Sequence, residues 1–184
     1  MAAVIQVARS YRVPGYDSRF KRRSRPPRAP AYTDIQAARQ YAAAFRLPEP
    51  ERSDALAMLD LGYGGGVRPG QARWVRGADV TASPHGVVMV KVRGLHAGDP
   101  EVFRPVRGDQ AARLLALAKR LGPTAYLIRD GRERDSGYEK AVSLLEDSDR
   151  SLGRFHMQRA VDNWFNRSVT VVPVMALLST LQLA

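Results

Sequence analysis

Apolar residues recur at near-helical intervals after Thr33, with Ile35, Tyr41 and Phe45 following one another, and Thr33 with Gln36 has the spacing of a capping box. The pattern predicts a first helix over roughly residues 34–46, broken by Leu47-Pro48-Glu49-Pro50. Ser53 or Asp54 then suits the cap of a second helix whose Leu56 and Leu59 share a face. Four glycines in Gly62-Tyr63-Gly64-Gly65-Gly66 mark a turn that bends sharply or approaches another part of the chain closely. Pro69 directly after Arg68 fits the first residue of a short third helix through Trp74, where its missing N–H costs nothing.

From Gly86 the period changes. Val87-Val88-Met89-Val90-Lys91-Val92 is a β-branched run, and Phe103-Arg104-Pro105-Val106 follows after a connection rich in Gly, His and Pro, which reads as a β-hairpin. Asp109 caps a helix carrying Leu114, Leu115, Leu117 and Leu121 and closed by Gly122-Pro123. Tyr126-Leu127-Ile128 reads as a short buried strand, and a helix is expected near residues 138–146. Leu152, Phe155, Val161 and Trp164 are spaced for another helix over 152–167, and Val174 to Leu183 is nearly all apolar. Nothing repeats internally. The fold class is therefore α+β, mainly α-helical, with a small antiparallel β-sheet made of a hairpin plus a short strand.

Composition narrows the chemistry. With 45% apolar and 26% charged residues among 184, the chain is an ordinary globular sequence with enough material for one hydrophobic core. It has no cysteine, which excludes disulfides and thiolate metal sites and favours a reducing, cytoplasmic setting. Arg9 and Arg12 interrupt the first residues where a signal peptide needs an apolar run, and no stretch approaches the roughly 20 apolar residues of a membrane span, so no membrane association is expected. His85, His96 and His156 are scattered, without ligand spacing, and neither metal nor other cofactor is expected.

Charge adds a partner. The formal net charge is +11, and residues 1–31 alone carry +7, leaving +4 on the rest. Residues 20–31, FKRRSRPPRAPA, mix five basic residues with three prolines and can neither bury a face nor hold a helix. The chain divides into a basic flexible arm, 1–31, and a mainly helical domain, 32–184. Arg19, Lys21, Arg22, Arg23, Arg25 and Arg28 are candidate DNA-binding residues, because such an arm neutralises backbone phosphates and releases counterions. A solvated tail that keeps the protein soluble is the plainer account of the same residues.

Two segments carry a resemblance. Residues 59–80, LDLGYGGGVRPGQARWVRGADV, resemble the first-arginine box of tyrosine recombinases and phage integrases, and His156-Met157-Gln158-Arg159 has the His-x-x-Arg spacing of the family's second box. The hairpin falls between them as it does in that family, so the likeness covers roughly residues 33–165. It implies a DNA-breaking and rejoining fold, in which a tyrosine hydroxyl attacks a phosphodiester and the protein supplies positive charge. By the resemblance Arg68 and Arg159 form a guanidinium clamp on the non-bridging oxygens, and His156 lies beside the same phosphate for proton transfer. Lys91 is the available substitute for the family's hairpin lysine, which belongs near the turn, where this chain has Gly94, Leu95 and His96.

The chain departs from the pattern at specific places. Gln71 stands where the family box has Glu, and no tyrosine follows Tyr138 although the family's nucleophile comes after the second box. The sequence then reads either as the front part of a longer site-specific recombinase or as a relative that binds DNA without cutting it. A non-catalytic nucleic-acid-binding or nucleoid-associated protein is the alternative. The apolar finish from Val174 to Ala184 needs a covering surface, from its own core, a further C-terminal piece or a second copy of the chain, and so suggests a homo-oligomer as one outcome.

Overall fold

Thr33 starts the first helix by the reciprocal pairing its spacing predicts: its hydroxyl accepts from the Gln36 N–H at 3.2 Å, and the Gln36 side chain accepts from the Thr33 N–H at 3.0 Å. The computed structural model describes residues 29–94, 100–129 and 134–168. The basic positions Arg19 to Arg28, the turn residues Leu95 and His96, and the apolar segment 174–184 lie outside the described residues.

Helix α1 (Asp34–Phe45) turns Gln40, Ala43 and Ala44 inward. Ile35 and Phe45, which the spacing assigned to the apolar stripe, are exposed instead. Two alanines let α1 approach α2 (Glu51–Leu59) closely, and Gln40 can be buried because its carbonyl oxygen accepts the Tyr63 hydroxyl at 2.6 Å. Helix α2 begins at Glu51, earlier than a Ser53 or Asp54 cap would place it. Asp54 is buried for another reason: it accepts the backbone N–H and the Nε of Arg129, both at 2.9 Å, anchoring the segment that follows Leu127 and Ile128. Those two residues are buried, but the pairing there is a single bridge, Arg76 to Tyr126, rather than a strand of the sheet.

Helix α2 continues into a π-helical turn, Asp60–Gly64, and the chain reaches α3 (Pro69–Ala72) through Gly65 and Gly66. Asp60, 1% exposed, is held by a forked pair from Arg113 at 3.0 and 2.6 Å and by the Tyr41 hydroxyl at 2.8 Å. This satisfies a buried carboxylate and ties the turn to the fourth helix.

The sheet has the order β1-β2-β3, all antiparallel, from β1 (Val80–Ala82), β2 (Val88–Val92) and β3 (Val102–Pro105). The expected hairpin is β2 with β3, in the register Val90 to Arg104 and Lys91 to Phe103; β1 adds a strand the apolar run did not mark. Val88, Val90 and Val92 face the core. Helix α4 (Gly108–Leu121) packs against the π-helical turn and the sheet. It starts at Gly108, with Arg107 extended before it, so Asp109 lies in the first turn near the positive end of the dipole rather than at the cap. Helix α5 (Arg134–Ser148) lies against α1 and α2, and a 3-10 turn, Arg150–Leu152, leads to α6, residues 157–168. Leu152 therefore belongs to the turn before α6, because Gly153 at φ +62° ends the preceding segment.

Tyr32 closes the domain. Its ring stacks on Phe155 at 5.9 Å, its hydroxyl accepts from the His156 N–H at 2.9 Å, and its carbonyl accepts from Asn163 Nδ2 at 2.7 Å. The start of the folded domain is thus pinned to α6. Among the described residues no helix is long and apolar enough to cross a membrane.

Candidate nucleic-acid interface

Arg68 sits at a reversal built by its neighbours. Gly66 adopts φ +59°, Val67 is fully buried, and Arg68 is extended, as the residue before a proline prefers. Pro69 then opens α3, which leaves the Arg68 side chain exposed at the helix start. Gln71 holds the turn: its carbonyl oxygen accepts from the Arg68 N–H at 3.4 Å and its amide donates to the Arg93 carbonyl at 2.8 Å. Only an amide can do both, which explains locally why a carboxylate is absent at this position.

Arg68 faces a cavity of about 810 Å³ between α3, β3 and α6. Arg104 enters it from β3, and Gln158, Asp162, Trp164 and Phe165 enter it from α6. The register explains Arg104: it stands opposite the buried Val90, so its side chain shares the inward face of the sheet. Its Nη1 donates to the Gly66 carbonyl at 3.1 Å and its guanidinium lies 6.0 Å from the Trp164 ring centroid. Arg107 approaches the same ring at 5.4 Å and donates to the Trp164 carbonyl at 3.1 Å.

Two donors in this wall have no acceptor. Arg104 Nε and Trp164 Nε1 are both buried without a hydrogen-bond partner, a costly arrangement unless a ligand supplies one. Burial, and then the charge of Arg68, lower the Arg104 pKa, while the guanidinium remains charged. The acid in the cavity, Asp162, accepts from Gln158 Nε2 at 3.1 Å. An anion placed between the arginines would satisfy free N–H groups and relieve their mutual repulsion at once.

The other residues proposed from sequence lie elsewhere. His156 is exposed on a neighbouring cavity of about 240 Å³, lined also by Arg73, Tyr138, Glu139 and Arg154. This cavity shares Pro69 and Gln158 with the first, so Arg68 and His156 flank a common ridge. Arg159 points away from both: its guanidinium lies 3.9 Å from the Tyr32 ring centroid and its Nε donates to the Pro30 carbonyl at 2.6 Å. Helical geometry accounts for this, since Gln158, Asp162 and Phe165 share the face toward Arg68 and Arg159 is turned about 100° from Gln158. Arg68, His156 and Arg159 therefore do not line one cavity. Lys91 projects to the sheet face opposite Arg104, where it pairs with Glu101 at 3.4 Å and Asp79 at 3.9 Å.

No family model, curated protein or solved structure matches this chain.

The described tyrosines are engaged in packing. Burial pushes the Tyr41 and Tyr63 hydroxyls up, and moves that of Tyr138 to about 12. None of Tyr32, Tyr41, Tyr63, Tyr126 and Tyr138 lines the Arg68 cavity. Among the described residues no group of His, Asp and Glu is arranged to hold a metal ion. Arg104 was not singled out from sequence as a site residue. The available signal was parity: Arg104 has the same parity as Val102 and Val106 within an apolar strand, which places it on their face.

Proposed function

We propose that this chain is a DNA-binding protein whose folded domain takes a backbone phosphate into the cavity between Arg68 and Arg104. The observation that carries the reading is the convergence of two guanidiniums with the unpartnered Arg104 Nε and Trp164 Nε1 on one open cavity. The net charge of +11 and the basic residues Arg19, Lys21, Arg22, Arg23, Arg25 and Arg28 support a polyanionic partner, the arm supplying contacts independent of sequence. The absence of cysteine accords with a cytoplasmic setting.

The recombinase resemblance contributes Arg68 as the phosphate-binding arginine, and the order of turn, sheet and helices accords with it. In this reading Arg104 supplies the second guanidinium, and His156 and Arg159 serve elsewhere. Strand cleavage would require a tyrosine hydroxyl at the phosphate, and no described tyrosine borders it. The function proposed for the described residues is binding of the phosphate.

Fluorescence anisotropy with a labelled DNA duplex, repeated across salt concentrations, tests it. Arg68→Ala and Arg104→Ala should each weaken binding about tenfold and lower the salt slope by about one phosphate. Silence of both, with binding abolished by Arg22→Ala/Arg23→Ala, would leave the arm as the sole binding element and overturn the proposal for the folded domain.

A further inference from the structure

We infer that the cavity beside His156 is a second phosphate site in series with the first, so that one strand of the ligand runs over the ridge formed by Pro69 and Gln158. The inference rests on the DNA-binding reading and specifies its ligand as a polymer with phosphates on both sides of that ridge. The two cavities share these residues, which makes them adjacent parts of a single trough.

Charge supports the second half of the trough. Glu139 is held by both Arg73, at 3.5 Å, and Arg154, at 3.1 Å. One carboxylate shared by two guanidiniums leaves a net positive charge. Arg73 lies 5.0 Å from the Tyr138 ring centroid and is half-buried, so it serves as fixed charge at the base. Arg154, paired with Glu139, is largely exposed, so its remaining donors are open to a phosphate. A nucleic-acid strand carries phosphates at regular spacing and so can engage both halves.

The test uses the full chain and a labelled DNA duplex, with thermal melts as folding controls. Arg154→Gln should weaken binding about tenfold and reduce the salt slope by about one. Glu139→Gln should strengthen binding about threefold, an outcome that a folding defect would not produce. The effect of Arg154→Gln should persist in an Arg68→Ala background, because the two residues meet different phosphates. If Arg154→Gln and Glu139→Gln leave binding unchanged while Arg68→Ala weakens it, the second site is overturned and the first reading stands. If Arg68→Ala and Arg104→Ala are both silent, the first reading fails and the inference fails with it.

Discussion

The indole of Trp164 lies against the α-carbon of Gly66, so close that a Cβ there would stand 2.4 Å from Cε3 of the ring. The same glycine offers its carbonyl to Arg104 and precedes Arg68 by two residues. One backbone position thus ties Arg104 and the indole to the turn that carries Arg68. Gly66→Ala meets both the steric conflict and a positive φ, and should destabilise the domain by about 2 kcal/mol or more. Gly86, also at positive φ but with open space around it, supplies the control: Gly86→Ala should cost about 1 kcal/mol. Urea denaturation of both variants checks the difference.

Arg159 and Arg68 should separate in their effects. Arg159 covers the Tyr32 ring and binds the Pro30 carbonyl, so Arg159→Ala should lower stability by about 1–2 kcal/mol while leaving DNA affinity within about twofold. Arg68 is exposed and makes no buried contact of this kind, so Arg68→Ala should leave the melting temperature nearly unchanged and reduce affinity. Melting curves and anisotropy on the same preparations would show the crossing pattern.

Gln71→Glu would introduce the residue type found in the recombinase box that residues 59–80 resemble, at a place where this chain uses an amide. The substitution loses the donor to the Arg93 carbonyl and sets a carboxylate oxygen against it. We expect a loss of about 1 kcal/mol in stability and weaker duplex binding, because negative charge enters beside Arg68. Tighter binding by this variant would contradict the role assigned to the amide.

Asp149 gives a pH signature. The Ser151 hydrogen bonds, and then Arg39 at 2.9 Å, hold its carboxyl below the usual aspartate value. Because the folded pKa is lowered, the stabilisation is complete above the unfolded value of about 3.9 and disappears as pH falls through the lower folded value. Asp149→Asn should therefore be less stable than the parent at pH 7, with the gap closing near pH 2. Urea midpoints at the two pH values report this directly.

Much of the fold could be read from local chemistry. The Thr33–Gln36 box, the apolar run at Val88–Val92 and the leucines of α4 each predict an element that forms, because capping, β-branching and helical period act over a few residues. What failed was orientation and long-range pairing. Ile35 and Phe45 look like a core stripe, yet α1 packs through alanines, since the approach of α2 decides which face is covered. His-x-x-Arg spacing puts His156 and Arg159 one turn apart, but Tyr32, 127 residues before Arg159, captures the guanidinium. The Arg68 turn was legible because Gly66 and Pro69 announce it; for its partner Arg104 the strand parity gave the face, but its position beside the Arg68 turn depended on sheet register.

Trp164 reports on the central claim from inside the cavity. In a Trp74→Phe background it is the single tryptophan of the chain, and its indole N–H is one of the donors assigned to the phosphate. Titration with a DNA duplex should change its emission saturably, with the same Kd as anisotropy, and Arg68→Ala should abolish the change. Saturable binding by anisotropy with unaltered Trp164 emission would place the DNA elsewhere and contradict the account.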